Sequence, residues 1–201
     1  MKFGVISADP PWGFTDGLKK MKRKVKRSAA SQYKTMTPKT VAALPVRDLV
    51  DPSGCVLALW VPGVLLQDGL DVMAAWGFQF KQVFVWVKLK KDHKRETDWN
   101  CATRVGLGRL FRQSHEIALI GTQGKGVYRH LMNKAQRSVA FDLNTGHSNK
   151  PGTLQDRLDL MFPTSDKVEL FGRRSRPGWY VLGDAIDGLD INDSIQGLAS
   201  L

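Results

Sequence analysis

Cysteine is scarce in this chain of 201 residues: only Cys55 and Cys101 occur, with no CxxC pair and no His/Cys cluster. A disulfide framework and a structural zinc site are thereby excluded, no metal is expected, and a reducing cytosol is the expected setting. Long hydrophobic runs are missing too. None approaches the roughly 20 apolar residues of a membrane span, and Met1–Pro11 lacks the layout of a secretory signal, so no membrane partner is expected. Basic residues disappear after Arg176, where Asp184, Asp187, Asp190 and Asp193 follow. The whole chain carries 30 Lys+Arg against 19 Asp+Glu, a net charge of +11, and with those four aspartates set aside residues 1–176 carry +15. Such an imbalance favours a polyanionic partner, nucleic acid foremost, over a charge that serves only solubility.

What is present is globular. The chain is 42% hydrophobic and 24% charged, and its length buries a core without covalent staples. Apolar runs at 3–7, 55–61, 80–87, 116–120, 168–171 and 179–182 read as strands, several of them apolar on both faces. Helices are expected after the Thr37-Pro38 cap, over 63–75 ending at Gly77, and over 152–162. Alternating strands and helices imply an α/β fold with a mostly parallel sheet. One domain over 1–188 is expected, followed by a weakly patterned, disordered tail over 189–201. Three basic segments stand apart as surface loops: 18–33, with seven Lys/Arg between Lys19 and Arg27; 88–95; and 104–112.

Asp9-Pro10-Pro11-Trp12 follows the first strand directly, at the strand end where open α/β sheets bind ligands. Two prolines fix φ and supply no N–H, so the turn is expected to present its acceptors without an internal donor to consume them. The Asp9 carboxylate and the Pro10 carbonyl can then accept both hydrogens of one amino group, while the Trp12 ring offers a stacking face. This set suits an exocyclic aromatic amine, whose lone pair is delocalised. Two acceptors localise that lone pair and stabilise the positive charge developing on nitrogen during an in-line methyl transfer.

With those residues in place, the sequence resembles the DPPW-type N(6)-adenine methyltransferases, from about Phe3 to Gly188. Ala8–Trp12 matches the catalytic motif. Tyr33-Lys34-Thr35-Met36 is similar to the family's Tyr-x-Thr-Met, whose tyrosine faces the base. Trp76-Gly77-Phe78 with Val85-Trp86-Val87-Lys88 resembles WGF…WVK, and His115-Glu116 before Ile120-Gly121 resembles HE…LxG. His147-Ser148-Asn149-Lys150-Pro151 resembles HSxKP. Glu169-Leu170-Phe171-Gly172-Arg173 and Pro177-Gly178-Trp179 resemble ELFAR…PGW.

The resemblance implies a Rossmann-like methyltransferase fold with helices on both sheet faces and a permuted motif order, which explains why no glycine-rich loop precedes Asp9. It also implies S-adenosylmethionine as cofactor, held by Asp9, Lys150, Glu169, Phe171, Arg173, Gly183 and Asp184, with Lys150 on its carboxylate and Arg173 on its ribose. Asp9, Pro10, Pro11 and Trp12 form the implied catalytic set. Tyr33, Lys22, Arg23, Lys24, Lys88, Arg109 and Glu116 form the expected nucleic-acid surface, with Trp12 or Tyr33 stacking the base; for Glu116 a salt bridge is an equal reading. The chain departs from eukaryotic members at Ser175-Arg176, where they carry His-Asn, and at Gly183-Asp184-Ala185, where they carry Gly-Asn-Gln.

The expected activity is N(6)-methylation of adenine in nucleic acid. DNA is favoured over RNA, with short or relaxed site specificity, in the cytoplasm of a bacterium or phage-infected host. The alternatives are adenosine methylation in RNA, or a catalytically silent nucleic-acid-binding partner subunit. A monomer or homodimer is expected, with an activating partner subunit as the alternative.

Overall fold

A computed structural model describes residues 1–13, 35–95, 97–106, 110–143 and 149–201. In chain order the elements are β1 (Val5–Ala8), α1 (Pro38–Ala42), β2 (Cys55–Val61), α2 (Leu66–Ala75), β3 (Gln79–Leu89) and α3 (Trp99–Ala102). There follow β4 (His115–Gln123), α4 (Val127–His130), β5 (Val139–Leu143), α5 (Thr153–Met161), β6 (Lys167–Leu170), β7 (Tyr180–Leu182), α6 (Asp184–Asp187) and α7 (Ile191–Ala199). No helix among the described residues is long and apolar enough to cross a membrane.

The seven strands form one sheet in the order β5-β3-β4-β2-β1-β6-β7. Four of its six pairings are parallel; β4 alone runs against both its neighbours, β2 and β3. The sheet is mostly parallel, as the strand–helix alternation implies, with one reversed strand inside it. That reversal has a consequence: the first residues of β4, His115 and Glu116, lie at the same edge as the carboxyl ends of the other six strands.

Both faces are covered, which is why the central strands are apolar throughout. β2 is buried at all seven positions. Its odd-numbered residues Cys55, Leu57, Leu59 and Val61 pack with Val41 of α1, Val72 and Met73 of α2, and Ile191, Ile195 and Leu198 of α7. Its even-numbered residues Val56, Ala58 and Trp60 pack with Val127 of α4 and Leu154 and Leu158 of α5. The period-2 alternation of a strand thus feeds two separate cores. Local signals set the helix ends. Thr37 accepts from the Thr40 N–H at 3.1 Å with Pro38 at the first helical position, and Gly77 takes φ +85° just beyond α2.

One expectation is corrected and one strand is added. The stretch from 189 is not a disordered tail. Asp190 caps α7 by accepting from the Asn192 N–H at 3.0 Å, and Ile191, Ile195 and Leu198, spaced by four and three, form a stripe buried in the main core. Its short length and flanking aspartates hide that stripe in the sequence. The added strand is β5, which the sequence does not suggest. Only Ala140 of its five residues is buried, because β5 is an edge strand whose backbone pairing with β3, rather than an apolar pattern, defines it.

Candidate active site

Six segments meet at the carboxyl edge of the sheet: the loop after β1, the end of β3, the start of β4, the turn before α5, and the turns after β6 and β7. The first of these is pinned at several points. The Asp9 N–H donates to the Leu170 carbonyl at 3.4 Å, tying the loop to β6. Pro11 and Gly13 exchange backbone hydrogen bonds with Met36, each at 2.8 Å. The Trp12 indole N–H donates to the Trp60 carbonyl at 2.8 Å.

This anchoring corrects two expectations for the loop. The Pro10 carbonyl does have an internal donor: the Trp12 N–H reaches it at 2.8 Å, closing a three-residue turn. One of its two lone pairs remains for a ligand. Trp12 is a core residue, with 5% of its surface exposed, and packs in the larger hydrophobic cluster. Its ring fixes the loop and is not an open stacking face, because satisfying the indole N–H of a tryptophan this close to the sheet turns the ring inward.

Around Asp9 the charges form a chain. The Lys150 ammonium donates to both Asp9 carboxylate oxygens at 2.9 Å and lies 3.3 Å from Glu116 Oε2. Glu116 in turn pairs through Oε1 with Lys88, whose ammonium also sits 5.2 Å from the Trp86 ring centre. Lys150 stands 5.4 Å from the Trp60 ring centre. Burial disfavours the Lys150 charge, yet Asp9 and Glu116 outweigh it and hold its pKa above the usual lysine value. Burial likewise opposes ionisation of Glu116, and Lys150 and Lys88 overcome it, so its pKa is lowered. The salt-bridge reading of Glu116 is the one realised. Lys88, expected on the nucleic-acid surface, is turned into this network.

On the other side of Asp9 the balance differs. Glu169 accepts from the Gln155 amide at 3.3 Å, and its pKa is raised, first by burial and then by repulsion from Asp9, against weaker attraction from Arg176 and Arg174. The Gln155 carbonyl oxygen is buried with no hydrogen-bond partner among the described residues. Phe171, the first residue after β6, takes φ +64°, the left-handed region that a bulky residue rarely enters. The turns after β6 and β7 are in backbone contact: a Cβ on Gly183 would lie 2.3 Å from the Gly172 carbonyl oxygen. That contact puts Asp184, exposed at the start of α6 just after β7, beside the Phe171–Arg173 turn.

Arg173 is exposed, whereas Arg176 turns inward, donating to Asp156 at 2.6 Å and Asp159 at 2.9 Å on α5. Trp179 donates to Asp159 at 2.9 Å as well. At Ser175-Arg176, where the chain departs from the resembled pattern, an arginine therefore braces the turn against α5. Sequence reasoning missed this clamp, although the i, i+3 spacing of Asp156 and Asp159 on one helical face was a signal for it.

Of the expected site residues, Asp9, Pro10, Pro11, Trp12, Lys88, Glu116, Lys150, Glu169, Phe171, Arg173, Gly183 and Asp184 all lie at this edge. Tyr33, Lys22, Arg23, Lys24 and Arg109 lie outside the described residues, as does the expected basic loop 19–27. No group of three or more His, Cys, Asp or Glu able to hold a metal occurs among the described residues. A cavity of about 260 Å³ lies elsewhere, between α4, α5 and the sheet, lined by Val56, Phe84, Ile120, Val127, Leu154 and Met161. None of the site residues borders it.

The donor set fits S-adenosylmethionine. Lys150 offers a cation to a carboxylate, Asp9 and Glu169 offer anions to an ammonium, and the Gln155 oxygen is an acceptor with no partner among the described residues. Arg173 and Asp184 flank the adjoining turn, where hydroxyls and a heterocyclic amine need partners.

The sequence profile of the MT-A70 family matches residues 3–185. The chain is 29% identical over 211 residues to the type II methyltransferase M.MunI of Mycoplasma sp, an alignment covering 98% of this chain and 83% of that protein. It is 28% identical to the N(6)-adenosine-methyltransferase MT-A70-like protein of Drosophila melanogaster and 27% identical to the N(6)-adenosine-methyltransferase catalytic subunit METTL3 of Homo sapiens. Those two alignments cover 96% of this chain but only 28% and 30% of the relatives' own lengths.

Proposed function

The chain belongs to the MT-A70 family of methyltransferases, and from that premise we propose that it transfers a methyl group from S-adenosylmethionine to the exocyclic N(6) amine of adenine in nucleic acid. DNA is the favoured polymer: the type II methyltransferase is matched along most of its length, whereas the adenosine methyltransferases are matched along less than a third of theirs. The single observation carrying the reading is the meeting of Asp9, the free lone pair of the Pro10 carbonyl, and Lys150 at one sheet edge.

When bound, S-adenosylmethionine supplies the methyl group as an electrophilic sulfonium. The protein's part is positioning and charge. Asp9 and the Pro10 carbonyl each accept one amine hydrogen, draw the nitrogen lone pair out of the ring and align it for displacement. As the nitrogen gains positive charge, Asp9 stabilises it and accepts the proton released after attack. Pro11 keeps the turn rigid, and Trp12 anchors it to β2 through the Trp60 carbonyl. Lys150 draws the cofactor carboxylate to the edge, which frees Asp9 oxygens for the amine. Tyr33 is the candidate for stacking the base, and 19–27 for gripping phosphate. The proposed location is the cytoplasm.

The test is transfer of labelled methyl groups from S-adenosylmethionine to DNA and to RNA by the wild type and by Asp9→Ala. We expect labelling of DNA at N(6) of adenine and loss of at least about a thousandfold in Asp9→Ala. Undiminished transfer by Asp9→Ala overturns the mechanism, and transfer confined to RNA overturns the choice of polymer.

A further inference from the structure

We propose that Leu110 and Phe111 are a wedge that enters duplex DNA and fills the space left when the target adenine is extruded towards Asp9. The inference rests on the reading above and adds the strand state of the substrate.

The connection between β3 and β4 leaves and returns at the active edge. Its stem is anchored on Lys88 itself: the Arg104 N–H donates to the Lys88 carbonyl at 2.7 Å, and the Lys88 N–H donates to the Ser114 carbonyl at 2.9 Å. Closer to the tip, the Gly106 N–H donates to the Gln113 carbonyl at 2.7 Å. The Lys88 side chain belongs to the charge network that ends on Asp9. The tip therefore rises from the same few residues that hold the catalytic carboxylate.

At that tip Leu110 is 94% and Phe111 is 88% exposed. Two adjacent large apolar side chains presented almost entirely to water contribute nothing to the core and carry a standing hydration cost. Their surroundings select the occupant. Arg104 and Arg112 flank them in the chain, and no carboxylate occurs anywhere from Trp99 to His115. A protein surface binding an apolar tip does not need that exclusion of negative charge, whereas a phosphate backbone does. An apolar side chain inserted between base steps, with arginines on the flanking phosphates, is the arrangement that stabilises an unstacked duplex. An adenine amine inside a duplex is inaccessible to Asp9 unless the nucleotide leaves the stack, and a filled gap offsets the cost of unstacking it.

The experiment compares methyl transfer to sheared genomic DNA, native and heat-denatured, by wild type, Leu110→Ala/Phe111→Ala and Phe111→Trp. Because both residues are solvent-exposed, melting temperatures of all three should agree, which controls for folding. The ratio of native to denatured labelling is expected to fall about tenfold or more in the double alanine variant, and to be retained in Phe111→Trp. An unchanged ratio overturns the wedge. So does a wild type that labels only denatured DNA, or one whose activity on native DNA needs a second protein bound to this loop. If the wild type labels neither form, the proposed function itself fails, an outcome distinct from labelling of denatured DNA alone.

Discussion

Lys150 donates to both carboxylate oxygens of Asp9, each at 2.9 Å, across 141 residues of sequence. In this arrangement the residue expected to grip the cofactor neutralises the residue expected to hold the amine. Asp9 is fully available to a substrate amine only when another anion engages Lys150, and the cofactor carboxylate is such an anion.

Cofactor binding should therefore precede and strengthen DNA binding. In fluorescence titrations, S-adenosylhomocysteine should tighten DNA affinity by about fivefold or more, a coupling of roughly 1 kcal/mol. Lys150→Met should abolish that coupling along with most cofactor affinity. Equal DNA affinity with and without the cofactor product refutes the arrangement.

Trp12 serves the loop and not the base. Trp12→Phe deletes the donor to the Trp60 carbonyl and leaves that buried acceptor unpaired, costing about 1–3 kcal/mol. The expected result is a lower Tm and a lower kcat with KM for DNA little changed. A raised KM at unchanged Tm restores the stacking role.

Gly183 has no room for a side chain. A Cβ there would lie 2.3 Å from the Gly172 carbonyl and 3.2 Å from the Phe171 carbonyl carbon, so Gly183→Ala must part the turns after β6 and β7. Its φ of 164° is extended and imposes no strain of its own, so the cost is steric. A destabilisation of about 1–3 kcal/mol in denaturant titration is expected, with weaker cofactor binding.

The pH dependence follows from three shifts. Glu116 is held below its ordinary pKa, so its contribution to stability is present above the carboxylate range and lost as pH falls through it. Lys150 is held above its ordinary value, so its contribution persists through neutral pH and is lost only as strongly alkaline pH deprotonates it. Glu169 has the opposite sign to Glu116. Its raised pKa means that the folded state binds a proton more readily than the unfolded chain does, and stability falls as pH rises through that interval. Glu169→Gln should raise Tm at pH 7 by a few degrees and lose that advantage in acid, while weakening the cofactor. A lower Tm at pH 7 contradicts this account.

Asp9, Lys150, Glu116, Glu169 and Gly183 were legible as candidates because each stands in a short stretch whose local chemistry is distinctive. The helix caps at Thr37-Pro38 and Gly77 were legible for the same reason: a cap is decided by a few neighbouring residues. Other features depend on distant partners. The inward turn of Trp12 requires the Trp60 carbonyl, the clamp of Arg176 requires two aspartates on α5, and α7 is a helix because a core stands ready to bury its three-residue stripe.

The sequence by itself determined that the chain has an α/β fold, a rigid acceptor turn after its first strand, and a basic body suited to a polyanion. Backbone geometry and charge count settle these locally. Only the tertiary structure decided which charges are spent on one another. Reversing β4 carries Glu116 to the active edge, where Lys88 and Lys150 meet it, and Lys150 reaches on to Asp9. Charges attract over distances in space and not along the chain, so that network could not be read from residue order.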